Sequence, residues 1–95
     1  QYEISVAEFY LRKQAYVAAA DLSQYVIEHY QQSPQSGEAL AILTRSYLAL
    51  DRKDLATQTR QVLAQNYPHH PYLTDPKWPH APSTLLKMVP FSGHH

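Results

Sequence analysis

Apolar residues recur at helical spacing through the first two thirds of the chain. In four stretches they follow one another at intervals of three or four positions, with polar residues between them. Side chains at these intervals lie on one face of a helix, so the pattern predicts amphipathic helices with one buried face. We place the four helices at about 2–13, 16–31, 37–50 and 53–66.

Prolines are concentrated in the last third of the chain. Pro34 precedes position 68, and six of the seven prolines follow from there: Pro68, Pro71, Pro76, Pro79, Pro82 and Pro90. Proline lacks the backbone N–H that a helix interior needs, so residues 68–95 are predicted to form a mostly irregular tail. We expect Trp78 to pack against the last helix pair and cap its open end, and Ser83 to cap a short helix over 84–89. The alternative is a tail that docks on a partner.

The helices repeat with a period of 37 residues. The matched pairs are Val6 and Leu43, Tyr10 and Tyr47, Ala19 and Ala56, Val26 and Leu63, and Tyr30 and Tyr67. This period is close to the 34 of tetratricopeptide repeats. The pattern predicts an all-α fold with two tetratricopeptide-like helix hairpins, about 2–34 and 37–67, as a fragment of an α-solenoid. A plain four-helix bundle is the alternative.

Capping residues are available at the starts of the later helices. Ser36 precedes the predicted third helix, and Asp51 and Asp54 bracket the start of the fourth. Their side-chain oxygens are of the kind that accept hydrogen bonds from free N–H groups at helix starts.

The first part of the chain also resembles a known family. The run Tyr2-Glu3-Ile4-Ser5-Val6-Ala7-Glu8-Phe9-Tyr10, followed by Ala15-Tyr16-Val17-Ala18-Ala19 and then Tyr30, is similar to the carboxy-terminal half of the BamD family. This family, also called YfiO or ComL, comprises outer-membrane assembly lipoproteins of Gram-negative bacteria. The resemblance covers residues 2 to about 68, and nothing beyond Pro71 contributes to it.

The resemblance implies a place and a role. It implies a periplasmic protein of about five tetratricopeptide-like repeats, held at the outer membrane by a lipidated amino-terminal cysteine. It also implies binding to the periplasmic domains of BamA and to small lipoproteins of the same assembly machine (the BAM complex). We therefore expect a scaffold subunit that docks partners through these repeats. The alternative is a cell-envelope module that binds peptides or unfolded substrates.

The chain begins without methionine and ends in two histidines. Because it starts at Gln1 without methionine, we expect a fragment of a longer protein that lacks the lipid anchor. His94 and His95 are either native residues or the remainder of a purification tag, and we assign them no function.

Composition narrows the possible functions. Eight basic residues balance eight acidic ones, which argues against nucleic acid as a partner. The carboxylates are spread over helix faces and ends, and no glycine-rich phosphate loop is present, so we expect no enzyme and no cofactor. His69, His70 and His80, with Asp75, are the candidate metal ligands. Adjacent histidines diverge in an extended segment, so we interpret them as exposed loop residues rather than a metal site.

After catalytic and metal sites, a surface that binds a partner is the remaining class of functional site. In stacked repeats the first helix of each hairpin lines one face of the array. The outward positions on those helices are predicted to be Ile4, Glu8, Leu11, Arg12, Ala41, Arg45 and Leu48. Charges of both signs beside apolar side chains suit a protein partner. We predict partner binding by Ile4, Glu8, Leu11, Arg12, Arg45 and Leu48; a solvated face with ordinary i,i+4 pairs is the alternative.

Overall fold

The computed structural model describes residues 2–79 and shows two helix hairpins followed by a short folded extension. The helices are α1 (Tyr2–Arg12), α2 (Tyr16–His29), α3 (Pro34–Ala49), α4 (Lys53–Asn66) and the single turn α5 (Pro71–Thr74). Each of the first four helices packs on its neighbour in the chain, and α1 also packs on α3. The predicted all-α fold is confirmed. The helix predicted at 84–89, with its cap Ser83, lies outside the described residues.

The 37-residue period is visible in the backbone as well as in the sequence. Helix α4 begins and ends 37 positions after α2. The turn after α1 has Gln14 in the left-handed region at φ 63°, and the turn after α3 has Asp51 there at φ 61°. Ala15, which follows Gln14, donates its N–H to the Tyr10 carbonyl at 2.9 Å. Arg52, which follows Asp51, donates its N–H to the Tyr47 carbonyl at 2.8 Å. The two hairpins therefore end their first helices with the same Schellman-type cap.

The start of α3 differs from the prediction. The helix begins at Pro34, three residues earlier than expected, and Ser33 rather than Ser36 is its N-cap. The Ser33 hydroxyl accepts the N–H of Ser36 at 3.2 Å, and proline suits the first helical position because its missing N–H has no partner there. Pro34 thus opens the second hairpin instead of ending the first.

The predicted cap of α4 is also wrong. Helix α4 begins at Lys53 after Arg52, and no side chain caps it by a hydrogen bond. Asp51 occupies the left-handed position of the preceding turn, so its backbone closes α3. Asp54 does lie in the first turn of α4, where a carboxylate favours the helix dipole.

The core lies between the two hairpins. Ala19 and Ala56 are buried at equivalent positions of α2 and α4, and so are Val26 and Leu63. Alanine at the first pair lets the second helix of each hairpin approach the first closely. The main buried cluster also includes Trp78 from the extension: Ala7, Leu11, Ala19, Leu40, Ala41, Ile42, Leu63 and Trp78.

The chain after α4 folds back on the repeats. Tyr67 donates its hydroxyl to the carbonyl of Ser33 at 2.9 Å, which fixes the end of α4 beside the start of α3. Helix α5 and the turn after it then bring Trp78 into the core cluster. No helix among residues 2–79 has the length and apolar content needed to cross a membrane.

Candidate docking face

The structure brings most of the predicted partner-binding residues to the side of α1 and α3 that the extension partly covers. Arg12, Arg45 and Leu48 are exposed, and 48% of the Leu48 side chain is accessible. Ile4 and Glu8 are half-buried, and Ile4 packs against the core cluster. We call this surface of α1 and α3 the docking face.

Two residues predicted to point outward are buried. Leu11 is 6% exposed and Ala41 is fully buried, and both belong to the core cluster that contains Trp78. The prediction was wrong for them because it treated the side of α1 and α3 as open, whereas the chain's own extension packs there. Leu11 contributes to the face only as the apolar floor of a cleft.

The cleft joins the two hairpins at the end of α1. Its volume is about 190 Å³, and it is lined by Leu11, Arg12, Gln14, Tyr16, Arg45 and Pro79. Two arginines therefore line one small opening, together with a tyrosine. Arginine donates several hydrogen bonds in a fixed planar arrangement that matches a carboxylate, so the cleft is suited to an acidic side chain of a protein partner.

A polar cluster lies on the same face, next to Trp78. His70 Nε2 is 2.9 Å from Glu38 Oε1, and the His70 side chain is only 11% exposed. His70 Nδ1 accepts the backbone N–H of Tyr72 at 3.0 Å. Since Nδ1 must therefore carry a lone pair, the hydrogen is on Nε2 and His70 donates to Glu38. Glu38 thus ties the extension to α3.

The two carboxyl groups of this cluster have opposite pKa shifts. Burial, followed by the hydrogen bond and the negative charge of nearby Glu38, raises the pKa of Glu8 to about 7. The positive charge of Arg12 opposes this shift. Burial also acts to raise the pKa of Glu38, but hydrogen bonds from His70, Glu8 and the Trp78 indole outweigh it, so this pKa is lowered. Below about pH 7 Glu8 therefore keeps its proton more readily than Glu38 does.

The histidines differ from the prediction in one respect. His69 is exposed as expected, but His70 is not a free loop residue because Glu38 and the Tyr72 backbone hold both ring nitrogens. Within residues 2–79 no three histidine, aspartate or glutamate side chains are grouped to hold a metal ion. His80 lies outside that range.

Sequence reasoning missed Glu38 as a member of the face. Its spacing gave a usable signal, since Glu38 and Arg45 are seven positions apart on α3 and so share one side of the helix. The prediction started α3 at residue 37, which made Glu38 the second residue of the helix. With the true start at Pro34, Glu38 lies one full turn inside the helix.

A second cleft, of about 200 Å³, lies between α2, α3 and α4. Its lining includes Ile27, Leu40, Val62 and Tyr67, and no charged side chain contributes to it. It therefore lacks the charge complementarity that the cleft between Arg12 and Arg45 offers.

Comparison with protein families identifies the family of this chain. The model of the YfiO family, described as an outer membrane lipoprotein, matches residues 1–63. The chain belongs to the YfiO family. The resemblance inferred from the run of residues 2–10 and the phrase at 15–19 is thereby confirmed. No solved structure matches this YfiO-family chain.

Curated relatives carry one name, outer membrane protein assembly factor BamD. The protein of Xylella fastidiosa strain Temecula1 is 45% identical over 93 residues, which is 98% of this chain and 32% of that protein. The protein of Neisseria meningitidis strain MC58 is 45% identical over 74 residues, 78% of this chain and 28% of that protein. The protein of Vibrio cholerae is 29% identical over 66 residues, 70% of this chain and 27% of that protein.

The lengths of these matches add two facts about the YfiO-family chain. It spans about a third of the length of the curated relatives. The Xylella match, at 93 of 95 residues, also extends into the region beyond Pro71, where the sequence resemblance was expected to end. At least one relative therefore shares the extension that carries Trp78.

Proposed function

We propose that this chain is the docking half of a scaffold subunit in outer-membrane β-barrel protein assembly. The names of its relatives support the assembly role, and the helix-hairpin fold supports a surface that binds proteins without catalysing a reaction. The full-length protein then lies at the periplasmic face of the outer membrane of a Gram-negative bacterium, held by an amino-terminal lipid.

The cleft between Arg12 and Arg45 carries the docking part of the proposal. Residues of both hairpins converge there on one opening that two arginines border. Complementary charges at an interface steer association and fix the register of the partner. The partners we propose are the periplasmic domains of BamA and small lipoproteins of the same machine, contacting the cleft through acidic side chains.

Charge reversal at the cleft tests this function. Arg12→Glu in the 95-residue chain should weaken binding to the periplasmic domains of BamA at least about tenfold, because an acidic partner group would face a like charge. Arg60→Glu on α4 is the matched control, since Arg60 is exposed and no residue of α4 lines the cleft. Isothermal titration calorimetry gives both affinities, and equal affinities for the two variants would refute docking at the cleft.

The second candidate is a tetratricopeptide-like module that binds peptides or unfolded substrates. The segment of this chain that already lies on the docking face, with Trp78 buried in the core cluster, favours it. This module would bind unfolded outer-membrane polypeptides and not folded BamA domains. The same titration with a denatured barrel protein separates the two functions.

A further inference from the structure

Residues 70–79, which we call the strap, form a helical turn and a second turn that together occupy part of the docking face. The strap leaves α4, makes the single turn α5 and runs across α3 toward the end of α1. Arg45 of α3 lies 3.5 Å from the carbonyl oxygen of Trp78, and Pro79 then borders the cleft beside Arg12 of α1. One short segment thus contacts both hairpins.

A single large aromatic side chain anchors the strap. Trp78 is 8% exposed and belongs to the main core cluster. The ring of Tyr72 meets it edge-on with centroids 5.0 Å apart, and the ring of His70 does so at 6.1 Å. A buried tryptophan inside a ring of lesser contacts is the arrangement that dominates the energy of protein interfaces.

The remaining contacts of the strap are ones that a peptide from another chain can reproduce. Arg45 binds a backbone carbonyl, a group that every residue has. Glu38 accepts a hydrogen bond from His70, and the Glu38 side chain is 25% exposed. These contacts require an N–H donor and a backbone carbonyl near the aromatic anchor, and they do not require this chain's own residues.

The strap does not fill the face. The cleft of about 190 Å³ remains open between Pro79, Tyr16 and the two arginines. Exposed side chains such as Arg12, Gln14 and Arg45 line it, so this edge of the strap is reached by solvent. On the other side, the strap contacts the Glu38 carboxylate through His70, so the surface that it covers includes a charged group.

We propose that the strap is a displaceable internal ligand, and that the face beneath it binds a short segment of a partner protein that carries a tryptophan or another large aromatic anchor. In the closed state Trp78 fills the anchor position, and in the open state a partner's aromatic side chain replaces it. The inference rests on the proposed docking role of this face, to which it adds the class of partner and a means of control.

Competition sets the size of the expected effect. A partner can bind only the fraction of molecules in which the strap is open, so its apparent affinity falls in proportion to that fraction. If the strap is closed in about nine molecules of ten or more, removing it should strengthen binding about tenfold or more.

A peptide with the sequence of residues 70–79 tests the proposal in trans. The peptide carries a fluorescein label, and anisotropy measures its binding to the full chain and to Trp78→Ala. We expect Trp78→Ala to bind it at least about tenfold more tightly than the unmodified chain does. The same peptide with alanine in place of its tryptophan should bind neither.

A second variant keeps the test decisive if Trp78→Ala loses helix content. His70→Ala weakens the strap but leaves the face and Trp78 in place, and Thr74→Ala, at an exposed strap position, is its matched control. Trp78 is the one tryptophan of the chain, so its quenching by acrylamide reports the strap directly. We expect greater quenching and tighter peptide binding in His70→Ala at unchanged circular dichroism, and no change in Thr74→Ala.

Two results would overturn the strap proposal. One is the absence of peptide binding to His70→Ala when its helix content is intact. The other is a denaturant titration in which Trp78 becomes accessible only together with loss of the helices. Either result leaves the proposed docking function intact if BamA domains still bind and Arg12→Glu still weakens that binding. If BamA domains do not bind, the docking function fails, and the peptide-binding assay still tests the strap independently.

Discussion

The ring of Tyr67 packs directly over Gly37, so close that a Cβ atom at that position would lie 3.1 Å from two ring carbons. Gly37 lies in the first turns of α3, and Tyr67 ends α4, so this contact joins the two helices of the second hairpin. The ring has little freedom to move away, because its hydroxyl donates to the Ser33 carbonyl at 2.9 Å and its backbone N–H donates to Leu63 at 2.7 Å.

Gly37→Ala should therefore destabilise the chain despite its better helix propensity. Alanine gains about 1 kcal/mol over glycine in a helix interior, whereas overpacking a tight contact costs about 1–3 kcal/mol. We expect a net loss of about 1 kcal/mol in the free energy of unfolding, measured by urea titration. In a Tyr67→Phe background the ring is no longer tied to Ser33, and the same change should cost less. Equal costs in both backgrounds would show that the hydroxyl does not hold the ring.

The cap of α3 gives a second prediction. The Ser33 side chain accepts from Ser36 and also donates to the Tyr30 carbonyl, so Ser33→Ala should cost about 1 kcal/mol. Ser33→Asn keeps an acceptor at the N-cap and should recover most of that loss. If serine to alanine at the exposed Ser5 of α1 costs as much as at Ser33, the cap is not the cause.

Adjacent residues of α4 provide a matched test of the core. Leu63 is fully buried, whereas Val62 is 43% exposed. Leu63→Ala should lower the free energy of unfolding by about 2–5 kcal/mol because it leaves a cavity between the hairpins. Val62→Ala should change it by less than about 0.5 kcal/mol. Similar values for the two variants would mean that the 37-residue register places the wrong face of α4 inward.

The repeat itself was predictable because its signal is periodic and local. Small residues at Ala19 and Ala56, with larger ones at Val26 and Leu63, specify how the second helix of each hairpin packs, and the structure buries all four. The start of α3 was less predictable, since Ser33 and Ser36 are both acceptable caps and only the position of Pro34 in the first turn separates them.

The docking face could be predicted only in part, for a physical reason. Repeat geometry identifies which side of α1 and α3 is available to a partner, and it correctly predicted that Arg12 and Arg45 are exposed. It carries no information about a nonrepeating segment that folds back over that side. Burial of Leu11 and the contact between His70 and Glu38 both depend on the path of residues 70–79, which irregular, proline-rich sequence does not reveal.

The pair of carboxyl groups at Glu8 and Glu38 predicts how stability depends on pH. Burial, then the hydrogen bond and charge of Glu38, raise the pKa of Glu8 to about 7 from 4.5, with Arg12 opposing. Between these values the folded chain holds a proton that the unfolded chain has released, so the contribution of Glu8 to stability is fully present below about pH 4.5 and is lost as pH rises through 7. The lowered pKa of Glu38 has the opposite consequence, a loss of stability as pH falls through its folded pKa.

Glu8→Gln should remove the loss on the alkaline side and leave the acid side unchanged. Glutamine cannot ionise, and its amide can still donate to Glu38 as the protonated Glu8 does. Because Glu8 is half-exposed and solvent screens part of its interactions, we expect a gain of about 1–2 kcal/mol above pH 7 and little change near pH 4.5. Urea titrations followed by circular dichroism at several pH values measure this. Glu28→Gln, at an exposed position of α2, controls for the loss of one negative charge. A gain for Glu8→Gln that is the same at every pH would mean that Glu8 is ionised throughout and shares no proton with Glu38.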